Sequence, residues 1–421
     1  MEIQTQTVER PLFLSRFASS AVEFTKKMKN IGKDDPRRII HSLKVATVLT
    51  VVSAFYYINP IFKDLGGSVM WAVLTVALVM EFFAGAAILK GLNRACATFL
   101  AGALGLAAHR LAVLFGDKGE PIVLALLVFL VAALATFARF MPELRAKYDY
   151  GVLIFILTFC LVAVSSYRKE NVYELAKDRF LTIAIGVAFS FFTSVFVFPV
   201  WAGADLHGLS TLNLEKLASF LQSFGNFLEG KKLALESHKS VLNFKSTEDS
   251  LSSLARWEPP HGRFRFRHPW DQYQKIGAQS RQCAYLMETL CVYAGSNNVE
   301  LPKHLGEVCV ELSSKCSKAL TEAASAMRTM TAPSAAAKCY MDAANSAAMQ
   351  LRASFSENSI VPKEILRAAP IVSLSTEIVR CVGEIVASVE ELARLARFVS
   401  SDEMVLKGDA EAADVSIAIE E

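Results

Sequence analysis

Apolar and polar positions divide this chain into two parts that meet near Trp201. Before that point, unbroken apolar runs of membrane-spanning length recur. After it, apolar residues return at threes and fours among Ser, Glu and Lys, the spacing of amphipathic helices with one buried face. The run at 67–89 is the clearest, about 23 residues or roughly 34 Å as helix, enough to cross a bilayer core of about 30 Å. It ends abruptly at Lys90 and Arg94. A helix continuing past Leu89 would put both cations on one face, whereas a turn at Gly91 would separate them. Further runs at 39–58, 95–108, 121–140, 150–166 and 180–200 complete an expected set of six spans. The fifth is short enough to need tilt or bilayer thinning.

Local signals refine this pattern. Residues 1–33 read as a mobile or surface-lying arm, with Leu12, Phe13, Phe17 and Phe24 among Lys26, Lys27 and Lys29. Asp35 is placed as an N-cap with Pro36 at the first helical position. Arg37, His41 and Lys44 then form a basic stripe descending into the first span, readable either as snorkelling to headgroups or as the start of a polar route. His109-Arg110 is expected at an interface or in a loop, as are Arg145 and Lys147 after Pro142. Beyond residue 203, helices are predicted over 209–229, 271–295, 303–330, 334–355 and 364–399. The last has Ile371, Leu374, Ile378, Val382, Ile385, Val389 and Leu392 as its core stripe.

The expected fold is therefore an all-α membrane protein: a cytosolic arm (1–35), a six-helix transmembrane domain (36–203), a cytosolic helical domain (204–400) and an acidic, disordered tail (401–421). Six spans place both ends on one side. A modest excess of Lys and Arg there, with the long soluble remainder, argues that this side is cytosolic.

Composition agrees. Of 421 residues, 53% are hydrophobic and 20% charged, with a mean hydropathy of +0.34. The first forty residues lack an isolated apolar core with a small-residue cleavage site, so the first span is expected to direct insertion. Net charge is only +3, which gives no reason to expect nucleic acid. The eight cysteines form no CxxC pair and read as reduced thiols.

Candidate chemistry is sparse outside the membrane. There is no phosphate-binding loop, dinucleotide fingerprint, zinc spacing or nucleophile elbow, so neither an enzyme nor a cofactor or metal site is expected. One dense motif, Trp257 to Trp270 (WEPPHGRFRFRHPW), alternates Arg263, Arg265 and Arg267 with Phe264 and Phe266. In an extended segment that period of two would face the cations one way and the rings the other, serving either a structural clamp or an anion site. In the membrane block, cations at span edges are either headgroup anchors or the lining of a polar route. Lys90, Arg94 and Arg139 are the candidates for lining, with Lys44, Arg145 and Lys147 on the cytosolic side and Arg179 outside. Glu81, inside the second run, is either one half of a structural ion pair or a gating charge.

Asp35-Pro36-Arg37-Arg38-Ile39-Ile40-His41, Trp71-Ala72-Val73, Lys90-Gly91-Leu92-Asn93-Arg94, Tyr148-Asp149-Tyr150-Gly151, Phe198-Pro199-Val200-Trp201-Ala202-Gly203 with Asp205-Leu206-His207, and Trp257-Glu258-Pro259 together resemble the plant aluminium-activated malate transporter family. The resemblance covers most of residues 30–290. It implies a homodimeric anion channel in the lipid bilayer, with six transmembrane helices per subunit and a basic pore for malate and inorganic anions such as chloride, nitrate and sulfate. Asp64, Glu170 and Glu174 stand where the resemblance places extracellular effector acids. Lys63 and Lys169 adjoin the first two and weaken the field a trivalent cation needs. Control by voltage and anions is accordingly expected rather than by aluminium. The plasma membrane is the expected location, with the vacuolar membrane as the alternative. The rival mechanism is a proton-coupled exporter of organic or aromatic acids with Glu81 as proton carrier.

Overall fold

The structure is a computed structural model that describes residues 10–57, 70–167, 172–228, 239–296, 303–357 and 362–399. Among these residues regular structure is entirely helical, and the chain forms two compact units, residues 1–200 and 201–421.

The first unit contains α1 (Arg10–Asp34), α2 (Arg37–Tyr57), α3 (Met70–Val79), α4 (Ala84–Val113), α5 (Gly116–Ala138), α6 (Pro142–Ser166) and α7 (Val172–Phe196). Four of them are long and apolar enough to cross a membrane: α4, α5 within Lys118–Ala138, α6, and α7 within Ala176–Phe196. The segment expected as a mobile or surface-lying arm is helical from Arg10, and Val22 and Phe24 on it are exposed. At the start of α2 the expected cap is present, with Asp35 Oδ1 accepting the Arg37 N–H at 3.1 Å.

The partition into spans differs from the apolar runs. The run at 67–89 is not one helix: α3 ends at Val79, about 15 Å long, and Met80–Phe83 is non-helical. Phe83 is extended (φ −89°, ψ 137°) and starts α4 without a side-chain cap. The first amide of α4 is used elsewhere, since the Ala84 N–H donates to Val200 O at 3.0 Å. A tertiary acceptor thus competes with helix continuation, which hydropathy cannot register. α4 then runs unbroken for 30 residues through Gly91, Lys90 and Arg94, so the turn considered at Gly91 is absent and the expected 95–108 span is part of the same helix. Gly91 is there for space: a Cβ would lie 3.1 Å from Val187 Cγ1 of α7. His109 and Arg110 are in the last turns of α4 rather than in a loop, and Arg145 and Lys147 are inside α6.

α4 is the axis of this unit, packing on α6, α7 and α5. Its buried face is built from Ala87, Gly91, Ala97, Ala101, Gly105 and Ala108, small residues that let helices approach where lipid supplies no hydrophobic drive. α3 approaches α7 as closely, because Gly186 has Ala72 O and Thr75 Cβ 2.8 Å from where its Cβ would be.

The second unit contains α8 (Ala202–Leu228), α9 (Lys239–Leu242), α10 (Lys245–Ala255), α11 (Trp270–Ser296), α12 (Lys303–Thr329), α13 (Ala335–Glu357) and α14 (Pro362–Ala396). α12 packs on α8, α13 and α14, while α11 packs on α14 and α8. The stripe expected on α14 is its core face, with Ile378, Val382, Ile385, Val389 and Leu392 all buried. Cys283, Cys291, Cys309, Cys316 and Cys381 are free and buried in this core. The helices missed in the sequence are α9, of four residues, and α10, whose polar surface left little apolar signal.

Candidate functional site

Two of the short motifs meet in the first unit. Lys90-Gly91-Leu92-Asn93-Arg94 lies on α4 and Tyr148-Asp149-Tyr150-Gly151 on α6. Asn93 Nδ2 donates to Lys147 O at 3.0 Å, and Gly151 leaves room for Asn93, whose Cβ would be 3.4 Å from an added methyl. This contact fixes the register of the two helices and thereby the cations either side of it.

Arg94 is 2% exposed. Its Nε donates to Thr75 Oγ1 of α3 at 3.0 Å and its Nη1 to Tyr150 OH of α6 at 3.1 Å. Among the described residues it has no carboxylate partner, so a full charge is held in the packed interior by two neutral hydroxyls. Burying a charge is costly unless it is compensated. Thr75 is itself fixed, since its hydroxyl donates to Trp71 O at 2.6 Å.

Arg179 of α7 uses the same face of α3. Its guanidinium lies 4.4 Å from the centre of the Trp71 ring, a cation–π contact, and its buried Nε has no hydrogen-bond partner among the described residues. Trp71 and Thr75 are one helical turn, about 6 Å, apart. α3 therefore presents two successive guanidiniums held by neutral groups.

Lys90 occupies the next position, beside the break. It pairs with Glu81, one of the four non-helical residues, and both side chains are more than a third exposed. Irregular backbone at membrane depth is tolerated only where protein buries it or water reaches it, and half-helices meeting at such a break mark many ion sites. The other candidates are placed differently. Arg139 is engaged by Asp149 through both oxygens, at 2.7 and 3.1 Å. Lys44 is buried and donates to Phe198 O at 3.3 Å, next to the carbonyl of Val200 that receives Ala84. Arg145 and Lys147 are exposed on the first turns of α6, and Glu174 is exposed in the first turn of α7. Asp64 and Glu170 lie outside the described residues. The groups missed in the sequence are Thr75, Trp71, Tyr150 and Asp149, whose only signal was their place inside or beside the short motifs.

The second unit has a different centre. Both oxygens of Glu258 accept backbone amides at the start of α8, Ala202 N–H at 2.6 Å and Gly203 N–H at 3.0 Å, a charged cap at the positive end of the helix. Trp201 stacks on His261 at 3.9 Å, and Trp270 closes over Gly203, where a Cβ would be 2.4 Å from its ring. Trp257 and Pro259 flank Glu258 in the chain; the Trp257 N–H donates to Leu254 O at 3.0 Å, and the Pro259 carbonyl accepts from His261 Nδ1 at 2.9 Å. The segment is a tight turn between His261 and Phe264, with Gly262 at φ 53°, not an extended strand. The expected sorting of rings to one side accordingly fails: Phe264 is buried and Phe266 is 75% exposed.

Behind this cap His268 Nε2 contacts Tyr273 OH at 3.2 Å, and Tyr273 OH contacts His207 Nδ1 at 2.8 Å. His207 Nε2 reaches Met327 O at 2.8 Å. A carbonyl can only accept, so His207 donates from Nε2 and accepts from Tyr273 at Nδ1, which leaves both histidines neutral. Burial lowers the pKa of all three histidines, that of His268 to about 4.

Comparison with known proteins bears on the whole chain. A family model described as "Aluminium activated malate transporter" matches residues 29–363. The chain is 49% identical over 406 residues to "Aluminum-activated malate transporter 1" of Triticum aestivum, covering 91% of this chain and 88% of that one. It is 42% identical over 394 residues to "Aluminum-activated malate transporter 2" of Arabidopsis thaliana, covering 89% and 78%.

Proposed function

Because the chain belongs to the aluminium-activated malate transporter family, we propose that it carries malate and inorganic anions passively across a plant membrane, as a homodimeric channel gated by voltage and anions. Arg94 carries this reading: a buried guanidinium with hydroxyl partners and no described carboxylate keeps its charge available to a mobile anion. Lys90, Arg94 and Arg179 supply several spaced weak sites, which conduction requires so that an ion that enters can also leave. The Lys90–Glu81 pair at the break acts as the gate, because an anion reaching Lys90 competes with Glu81. Arg145 and Lys147 draw anions toward the path, whereas Arg139 and Lys44 have structural partners and contribute field rather than contact. Efflux of a dianion from a cell interior negative by 100 mV gains about 4.6 kcal/mol, twice the value for one charge, so no coupled energy source is needed. The plasma membrane is the proposed location, with both ends cytosolic.

Purified protein in proteoliposomes tests this. Arg94→Gln should lower malate flux at least about tenfold, the scale of about 1.4 kcal/mol at the site, while insertion is unchanged. Undiminished flux would remove Arg94 from the path. Reversal potentials that follow the anion gradient at every pH are expected. A reversal potential that moves with the pH gradient would favour proton-coupled export through Glu81.

A further inference from the structure

In the second unit α12 and α14 end in the same way at the same place. The residues after Thr329 and Ala396 are both left-handed, Met330 at φ 52° and Arg397 at φ 55°. Thr331 N–H returns to Ala326 O at 3.1 Å and Phe398 N–H to Ala393 O at 2.9 Å, so each helix closes with a Schellman-type bond. The two exits then pair, with Val399 N–H donating to Met330 O at 3.2 Å and Ala332 N–H to Val399 O at 2.9 Å. Glycine is the usual residue at such left-handed positions, and a side chain there strains the backbone. This chain keeps an arginine at one of them.

The paired exits and the turn at Gly262–Arg265 enclose a cavity of about 380 Å³, within the range of about 300–1,000 Å³ usual for small-molecule sites. Arg263, Arg265 and Arg397 line it together with Thr329 and Thr331, and its described lining includes no carboxylate. Arg263 is used structurally, donating to Thr329 O at the end of α12. Arg265 and Arg397 are exposed and make no ion pair among the described residues. Two helix ends contribute about half a negative charge each, so three guanidiniums leave a net charge of about +2. A neighbouring cavity shares Arg263, Thr329 and Met330, but its additional cation, Arg328, is neutralised by Glu215.

We propose that the Arg263–Arg265–Arg397 cavity binds a small dicarboxylate, one carboxylate taken by Arg265 and the other by Arg397. Guanidiniums suit this ligand because their fork of donors matches a carboxylate, and two of them discriminate a dianion from a monoanion. The bound ligand ties the exits of α12 and α14 to the 262–265 turn. The site belongs to the second unit alone. It takes from the transport reading only the choice of malate as probe, and it is tested without flux.

Hydrogen exchange of the full-length protein in detergent reads the site directly, through peptides covering 262–267, 326–332 and 393–399. Malate at about ten times its dissociation constant should slow exchange there about tenfold, and acetate at the same concentration should not. The response should vanish in Arg265→Gln/Arg397→Gln, which changes two exposed side chains, and persist in Arg94→Gln. No slowing by malate, or equal slowing in the double variant, would overturn the proposal. Asp402 and Glu403 follow this site in sequence and offer the same chemistry, so a chain ended at Val399 separates the two sources. It should respond to malate at least as strongly as the full chain. Faster exchange in the shortened chain with no response to malate would assign the cavity to the chain's own acids and overturn the free ligand.

Discussion

Arg94 in the first unit and Arg281 in the second are both guanidiniums drawn into packed helices, and they are treated in opposite ways. Arg281 of α11 pairs with Glu248 of α10, whose side chain is 2% exposed; Glu248 fits over Gly277, where a Cβ would overlap its carboxylate. Arg94 has hydroxyls. Where charge is compensated within the chain it organises packing, and where it is left to neutral donors and acceptors it remains available to something that comes and goes. Removing one partner of a buried ion pair strands the other charge, at a cost of about 3–5 kcal/mol, whereas removing a charge held by hydroxyls strands only neutral groups, at about 1–3 kcal/mol each. Glu248→Ala should therefore destabilise the second unit by roughly 3 kcal/mol in denaturant unfolding. Arg94→Met strands the Tyr150 hydroxyl but not that of Thr75, which keeps Trp71 O, and should cost the first unit only about 1 kcal/mol while abolishing flux. Equal losses from the two substitutions would make Arg94 a structural residue.

The same contrast explains what could be read from the chain alone. The helices of the second unit follow from local periodicity, because their cores are stripes that repeat within one segment, as on α14 from Ile371 to Leu392. From α3 to α7 the first unit is apolar on most faces, so periodicity is weak and boundaries are decided by partners distant in sequence. Nothing near Met80 announces that Val200 O will take the Ala84 amide, and the run at 67–89 looks continuous. Cations stand out at the edges of apolar runs, which is why Lys90, Arg94 and Arg179 are legible. Their hydroxyl and aromatic partners are not, since Thr75 and Tyr150 are ordinary in a membrane helix. Glu258 was visible as part of a motif, but its role as a cap depends on a fold that brings residue 258 to residue 202.

Acid acts on the second unit through its histidines. His207 and His268 are buried and His261 partly buried; all three are neutral, and their pKa values are lowered by desolvation. Unfolded histidine titrates near 6.5, so the unfolded chain takes up protons first as pH falls. Stability contributed by these groups is complete above about pH 6.5 and is lost as pH drops toward 4, the value for His268. Glu248 works against this, since burial raises its pKa and the fold gains that proton before the unfolded chain does. His268 alone, lowered from 6.5 to about 4, accounts for a loss on the order of 2 kcal/mol by pH 4.5; His207 and His261 add to it and Glu248 opposes it. Exchange in α8 and α11 peptides, corrected for its intrinsic pH dependence, should report it. Stability that is flat from pH 7 to about 4.5 would mean that the histidine network opens to water before it is charged.

The smallest effect concerns Arg397, which shares with Arg94 the lack of a described carboxylate partner but differs in being exposed and held at φ 55°. Two properties are superposed at this position, backbone strain and charge, and two substitutions separate them. Arg397→Ala removes the guanidinium and keeps the strain, while Arg397→Gly removes both. Glycine should therefore stabilise the second unit by about 1 kcal/mol relative to alanine, the cost of a Cβ in the left-handed region. Both variants should lose the malate-dependent protection of the 393–399 segment equally. If alanine and glycine are equally stable, the left-handed geometry is not held against any resistance, and the presence of an arginine there needs no ligand to explain it. If glycine is the more stable, the chain retains a side chain at local cost in a place where it has no protein partner among the described residues, as it retains Arg94 in α4, and the comparison between the two units becomes one between two anion-receptive arginines in different surroundings.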